Sequence, residues 1–171
     1  MEIIESYPCT KFKLFVNCRN TAQIGVYSSK VSGVEINEFL HENGEEVQKI
    51  SYTEISDFKQ QIKKIMKNLR AEKIDPTDVV FLAPKRYSNS ILAEIGFEVN
   101  ELGDNFDDAG SLPRHATIQG FKSLDAKIVI LINVDNISDK NFAKFMYIAG
   151  TRARTLLYVV ASNEFWNKYN I

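Results

Sequence analysis

Ala116-Thr-Ile-Gln-Gly-Phe-Lys-Ser-Leu-Asp-Ala126 runs into the apolar stretch Lys127–Ile132, and Tyr147-Ile-Ala-Gly-Thr-Arg-Ala-Arg154 runs into a second apolar stretch, Thr155–Ala161. Two buried-type strands, each attached to a short polar signature, indicate an α/β protein that works at the ends of its strands. The second signature sets Arg152 and Arg154 beside small residues, where a strand, helix or loop can present a charge to a phosphate.

Outward from this stretch, strand and helix patterns alternate. Asp78–Ala83 is a short continuous apolar run of the central-strand kind. Upstream of it, Ile55, Phe58, Ile62, Ile65, Met66 and Leu69 recur at three- and four-residue steps, which predicts a helix begun at Thr53 or Ser56 and broken by Asp75-Pro76. Lys59, Lys63, Lys64, Lys67 and Arg70 fall on its other side. A charged outer face is the default for an amphipathic helix, so a solvated surface is the expectation there ahead of a nucleic-acid contact.

The N-terminal part predicts a strand over Lys11–Val16 that delivers a polar turn, Asn17-Cys18-Arg19-Asn20. A helix then follows from Ala22 to about Ser32, capped by Asn20 or Thr21 and stopped at Gly33. Val34–Phe39 is open between strand and helical turn. Glu46–Tyr52 alternates as a strand does, after the Asn43-Gly44 turn signal. Ser88–Ile95 predicts a short helix, Phe97–Leu102 an edge strand, Asp104–Asp108 a solvated acidic loop, and His115–Ile118 a strand. Ser138 is the expected cap of a helix over Asn141–Ala149, Leu156–Ala161 the last strand, and Asn163–Ile171 the start of a helix. This alternation predicts a mainly parallel sheet with helices on both faces, with Arg19, Lys85, Thr117–Asp125 and Thr151–Arg154 near strand ends.

At 171 residues and 44% apolar content the chain fits one well-cored domain. With 21 basic against 22 acidic side chains there is no global positive field, so any polyanion must be met by a local cluster. Cys9 and Cys18 match no metal-ligand spacing and form no disulfide framework, which favours a reducing, cytoplasmic setting. No apolar run approaches ~20 residues, so no membrane span is expected. His41 and His115 stand alone, without a nucleophile partner or a Gly-rich nucleotide loop, which argues against a flavodoxin-like small-molecule enzyme.

Three signatures occur in an order that resembles the second RecA-like domain of superfamily-one helicases of the UvrD/Rep/PcrA type. Leu14-Phe-Val-Asn-Cys-Arg-Asn-Thr21 is similar to the family's motif IV. Thr117-Ile-Gln-Gly-Phe-Lys-Ser-Leu-Asp125 is similar to motif V, Thr-Ile-His-x-x-Lys-Gly-Leu-Glu. Met146-Tyr-Ile-Ala-Gly-Thr-Arg-Ala-Arg154 is similar to motif VI, Tyr-Val-Ala-x-Thr-Arg-Ala. The resemblance implies a three-layer RecA-like, P-loop NTPase-type α/β domain spanning residues 1–171, separated from its ATP-binding first domain. Neither a Gly-x-x-x-x-Gly-Lys-Ser/Thr loop nor an apolar strand ending in an Asp-Glu pair is present, so ATP and magnesium would be shared with that missing domain and the isolated chain would be inactive.

The same resemblance implies residue roles. Arg19 and Arg152 would be the catalytic arginines that reach the γ-phosphate, and Asp125 would accept a hydrogen bond from the ribose. Lys122 would take a structural or phosphate-facing role in the same turn. Thr117 and Gln119 would lie along single-stranded nucleic acid, DNA being the first expectation. Cys18 stands where the family has the aromatic that stacks on adenine, Ser123 stands in place of Gly, Asp125 of Glu, and Gln119 of His. The alternative is a non-catalytic nucleic-acid or protein interaction module with a degenerate helicase fold.

Overall fold

Every residue of Val79–Ala83 is buried, and Ile128–Leu131 is buried likewise. Strands that are apolar at successive positions need cover on both faces. The computed structural model, which describes residues 16–36, 38–102 and 111–171, supplies that cover. Six strands form one sheet in the order β3-β8-β7-β4-β6-β5, and every neighbouring pair is parallel. They are β3 (Gln48–Tyr52), β4 (Val79–Ala83), β5 (Asn100–Glu101), β6 (Arg114–Thr117), β7 (Ala126–Leu131) and β8 (Ala153–Ser162). The helices are α1 (Ala22–Ser32), α2 (Ile55–Ala71), α3 (Ile91–Glu94), α4 (Asp139–Gly150) and α5 (Asn163–Tyr169).

The two-residue period of the strands divides the core. Val80, Leu82, Val129, Leu131 and Val159 point to the face covered by α1, α4 and α5, where Ile24, Phe142, Met146 and Phe165 meet them. Val79, Phe81, Ala83, Ile128 and Ile130 point to the other face, against Phe58, Ile62, Ile65 and Leu69 of α2 and Leu92 of α3. The result is the three-layer α/β sandwich expected from the sequence. Phe81, with no exposed surface, sits near its middle, and its truncation to Ala is worth about 3–5 kcal/mol.

A second, two-stranded parallel sheet pairs β1 (Val16–Thr21) with β2 (Glu38–His41) and stands apart from the main one. Here the structure corrects the sequence reading. Lys11–Phe15 lies outside the described residues, and the tetrad Asn17–Asn20 is not a turn after a strand but the strand itself. The reason is local. Asn17 Oδ1 accepts from the backbone N–H groups of Arg19 (2.9 Å) and Asn20 (3.1 Å), and the β1–β2 register breaks between Asn17 and Thr21. A polar side chain replaces the ladder across the break.

Helix α1 begins and ends where the sequence places it, with Gly33 in the left-handed region at φ 71°. Thr21 occupies its N-cap position without a side-chain cap bond. Val34–Phe39 resolves as a strand that starts later, at Glu38. Neither Thr53 nor Ser56 caps α2; Glu54 holds that position, and Asp57 Oδ2 accepts from Thr53 N–H at 3.2 Å. The edge strand expected over Phe97–Leu102 shrinks to Asn100–Glu101, and the acidic loop Asp104–Asp108 lies outside the described residues. α4 starts two residues early, at Asp139, and β8 three residues early, at Ala153.

Candidate functional site

Asn20 is the residue that assembles the site. It is only 1% exposed, and its Nδ2 donates to the carbonyl oxygens of Thr151, at 3.1 Å, and Ala153, while its Oδ1 accepts from Asn17 Nδ2 at 3.1 Å. β1 is thereby fastened to the amino end of β8. α1 follows and packs on α4 so closely that a Cβ on Gly150 would meet Ser28 Oγ at 2.6 Å. Arg19, next to Asn20, is delivered to the amino-terminal end of the main sheet's strands.

At that end Ala126 and Ala153 are register partners, and Ala126 N–H donates to the Arg152 carbonyl at 3.0 Å. The residues just before the two strands, Asp125 and Arg152, therefore sit side by side. Arg19 Nε lies 3.7 Å from Asp125 Oδ2, with the two side chains 45% and 40% exposed. Such an open pair contributes only ~0–1 kcal/mol. It is an arrangement that an arriving anion can rearrange at little cost.

Arg152 is held differently. Its Nε donates to Ile148 O (3.1 Å), one Nη to Leu124 O (3.0 Å) and the other to Thr151 Oγ1 (3.3 Å). Three of its five N–H donors thus join the last turn of α4 to the turn before β7. Burial first, then the neighbouring Arg19 charge, lower the pKa of this guanidinium, while Asp125 and Tyr147 oppose the shift. Arg19 and Arg152 flank the Asp125 carboxylate, while Glu35 and Glu38 line the same groove, so the cations are concentrated beside Asp125 and not spread over the whole groove. Arg19, Asp125, Tyr147, Arg152 and Arg154 share an open groove of about 1090 Å³ with His41 of β2.

The expected site residues separate into two groups. Arg19, Asp125 and Arg152 come together. Thr117 and Gln119 do not join them, because β6 and β7 are parallel: the link between them leaves the carboxyl end of β6 at Thr117 and reaches the amino end of β7 at Asp125. Thr117 Oγ1 accepts from Gly120 N–H at 2.9 Å and shapes the turn. Gln119 and Lys122 are exposed on that turn, and Lys122 is not part of the groove wall. Ser123 adopts φ 78°, a left-handed conformation that suits the Gly of the motif it resembles.

These segments lie near strand ends, as expected, but at both ends of the sheet: Lys85 and Thr117 at carboxyl ends, Asp125, Arg152 and Arg154 at amino ends, while Arg19 lies within β1. Sequence reasoning missed Asn20 as the tie and Tyr147 as a groove wall. A polar residue directly before a helix was a signal for the first; for the second there was none beyond its place in the signature.

Among the described residues no group of three or more His, Cys, Asp or Glu is placed to hold a metal ion, and no helix is long and apolar enough to cross a membrane. No family model matches the chain, and no curated protein does. Among solved structures, the chain is similar to the C-terminal domain of a possible DNA helicase from Lactobacillus plantarun WCFS1, with a TM-score of 0.66, 14% identity, and coverage of 85% of this chain and 88% of that one. At that identity the likeness shows the fold: a RecA-like α/β domain with a parallel sheet flanked by helices.

Proposed function

We propose that this chain is the second RecA-like domain of an ATP-dependent helicase of the UvrD/Rep/PcrA type, working with a first domain that holds the nucleotide. The observation that carries the reading is the convergence of Arg19 and Arg152 with Asp125 on one groove, from segments more than a hundred residues apart in the chain. The three come from separate signatures, and nothing but folding brings them together.

The groove fits the outer phosphates and ribose of a nucleotide held on a facing domain. Arg19 swings from its weak pair with Asp125 onto phosphate oxygens, where its planar fork matches the anion. That exchange frees the Asp125 carboxylate to accept from a sugar hydroxyl. Arg152, fixed by three hydrogen bonds, keeps two N–H donors for the same anion and supplies charge without reorganisation. ATP with magnesium, when bound by the first domain, supplies the transferable phosphoryl group. Gln119 and Lys122, exposed on the β6–β7 turn, face a strand of nucleic acid, single-stranded DNA first.

The test is turnover in the protein that joins this domain to a phosphate-loop domain. Arg152→Ala should lower ATP hydrolysis by a factor on the order of 10³, the scale of finger arginines. Near-wild-type turnover in a folded variant defeats the assignment. The 171-residue chain alone should hydrolyse no ATP, and clear magnesium-dependent activity in it would overturn the dependence on a first domain.

One observation favours a second reading. Arg152 is already engaged by carbonyl and hydroxyl acceptors, as it would be in a non-catalytic interaction module that kept the helicase fold. An upstream coding stretch with a phosphate loop decides for the motor; its absence decides for the module.

A further inference from the structure

The outer face of α2 carries a stripe of cations that the nucleotide groove does not use. Lys63, Lys67 and Arg70 follow one another at four- and three-residue steps, which on a helix aligns them on one side, about 10 Å from first to last. Lys59 extends the line, with its Nζ donating to Ile95 O at 3.1 Å, and Lys64 borders it. All five are exposed.

Two features separate this face from an ordinary solvated one. The first is pairing: the ion pairs among the described residues are Arg19–Asp125, Lys127–Asp78 and Lys168–Asp139, none of them on this helix. The second is the absence of acids within the stripe. The helix's own carboxylate, Asp57, lies on a different side, accepting from Gln61 Nε2 at 3.2 Å and Thr53 N–H. Like charges at four-residue spacing repel, so the helix carries an uncompensated cationic ridge in a chain whose net charge is −1. On the opposite face of the same helix Phe58, Ile62, Ile65 and Leu69 are at most 4% exposed against the sheet, which fixes the ridge outward.

We infer that this ridge is a docking surface for the phosphodiester backbone of a nucleic acid, separate from the groove and from the β6–β7 turn. Linear, regularly spaced cations match a linear, regularly spaced polyanion. A membrane surface fits less well, because an interfacial helix needs a free apolar face and α2 has committed its own to the core. The ridge lies on the sheet face opposite α1 and α4, so it stands whether or not Arg19 and Arg152 meet a nucleotide.

The experiment measures binding of the 171-residue chain to a fluorescent oligodeoxythymidylate across a salt series. The wild-type chain should bind, and Lys63→Gln/Lys67→Gln/Arg70→Gln should weaken binding at least tenfold at low salt. The slope of log affinity against log salt should fall by about 2, from three lost contacts at ~0.7 each. In parallel, the oligonucleotide should protect Lys63 and Lys67 of the wild-type chain from acetylation, a readout that does not depend on the variant folding. Lys122→Gln, on the separate turn, reports on the track of the proposed motor and should leave the Lys63 and Lys67 protection intact. Absence of binding, an unchanged slope in the triple variant, or unprotected lysines would each overturn the inference. So would equal binding to phosphatidylserine vesicles that is lost in the same variant.

Discussion

Asn20→Ala and Asn20→Asp test how the site is assembled. The Asn20 amide donates to two carbonyl oxygens, those of Thr151 and Ala153, on residues at 5% and 0% exposure, and accepts from Asn17. Truncation to Ala removes all three bonds and leaves the two carbonyl acceptors, on buried residues, without the amide. Each such bond is worth ~1 kcal/mol net, and an unsatisfied buried partner costs ~1–3 kcal/mol, so a loss of about 3 kcal/mol follows. For a chain of this size that corresponds to a fall in Tm of roughly 6–12 °C. In urea the midpoint should drop with little change in slope. Asn20→Asp is the sharper variant. It keeps shape, volume and the acceptor for Asn17, yet places an anionic oxygen against two carbonyls, and should destabilise at least as much as Ala. An Asp variant as stable as the wild type would show that the amide is not the tie between β1 and β8.

Further expectations follow from individual residues. Ser123→Gly removes a side chain from φ 78°, where an L-residue costs ~1–2 kcal/mol; after the entropy of the added glycine the variant should gain about 0.5–1 kcal/mol in urea unfolding, and a loss would contradict the left-handed turn. His115 has no exposed surface, no hydrogen-bond partner on either ring nitrogen, and Tyr87 edge-on at 5.8 Å. Burial lowers its pKa to about 4, and Glu101 only partly opposes this. A folded pKa below the unfolded value of ~6.5 means that the unfolded chain binds the extra proton. His115 therefore leaves stability intact above pH ~6.5 and removes about 3 kcal/mol as pH falls from there through about 4. The imidazole NMR shifts should stay those of the neutral ring down to that range, and a midpoint near 6.5 would refute the burial.

The parts legible in the sequence are those where one local rule acts alone. The runs at Val79–Ala83 and Ile128–Leu131 are apolar throughout, so they announce central strands whatever their neighbours do. α1 carries a left-handed glycine at its end, and its bounds fall where that glycine puts them. β1 was not legible because its strand character comes from a partner, Glu38–His41, and from Asn17 filling the broken ladder. The split of the signature Thr117–Asp125 across the two ends of the sheet was hidden as well. Only the parallel pairing of β6 and β7 with β4 shows that Thr117 and Asp125 lie at opposite ends of the sheet. Nor does sequence reveal that Arg152 turns back on Ile148 and Leu124 while Arg19 stays loosely paired.

The separation of β1 and β2 from the six-stranded sheet has a mechanical meaning. Arg19 and Arg152 belong to two different parts of the fold, one a small flap of two strands, the other the six-stranded sandwich. The flap is joined to the sandwich by the Asn20 amide as a pin and by α1 as an arm. The spacing of the two arginines is therefore set by the Asn20 amide and by the seating of α1, whose Ile24, Tyr27 and Val31 belong to the core, and not by the ladder of either sheet.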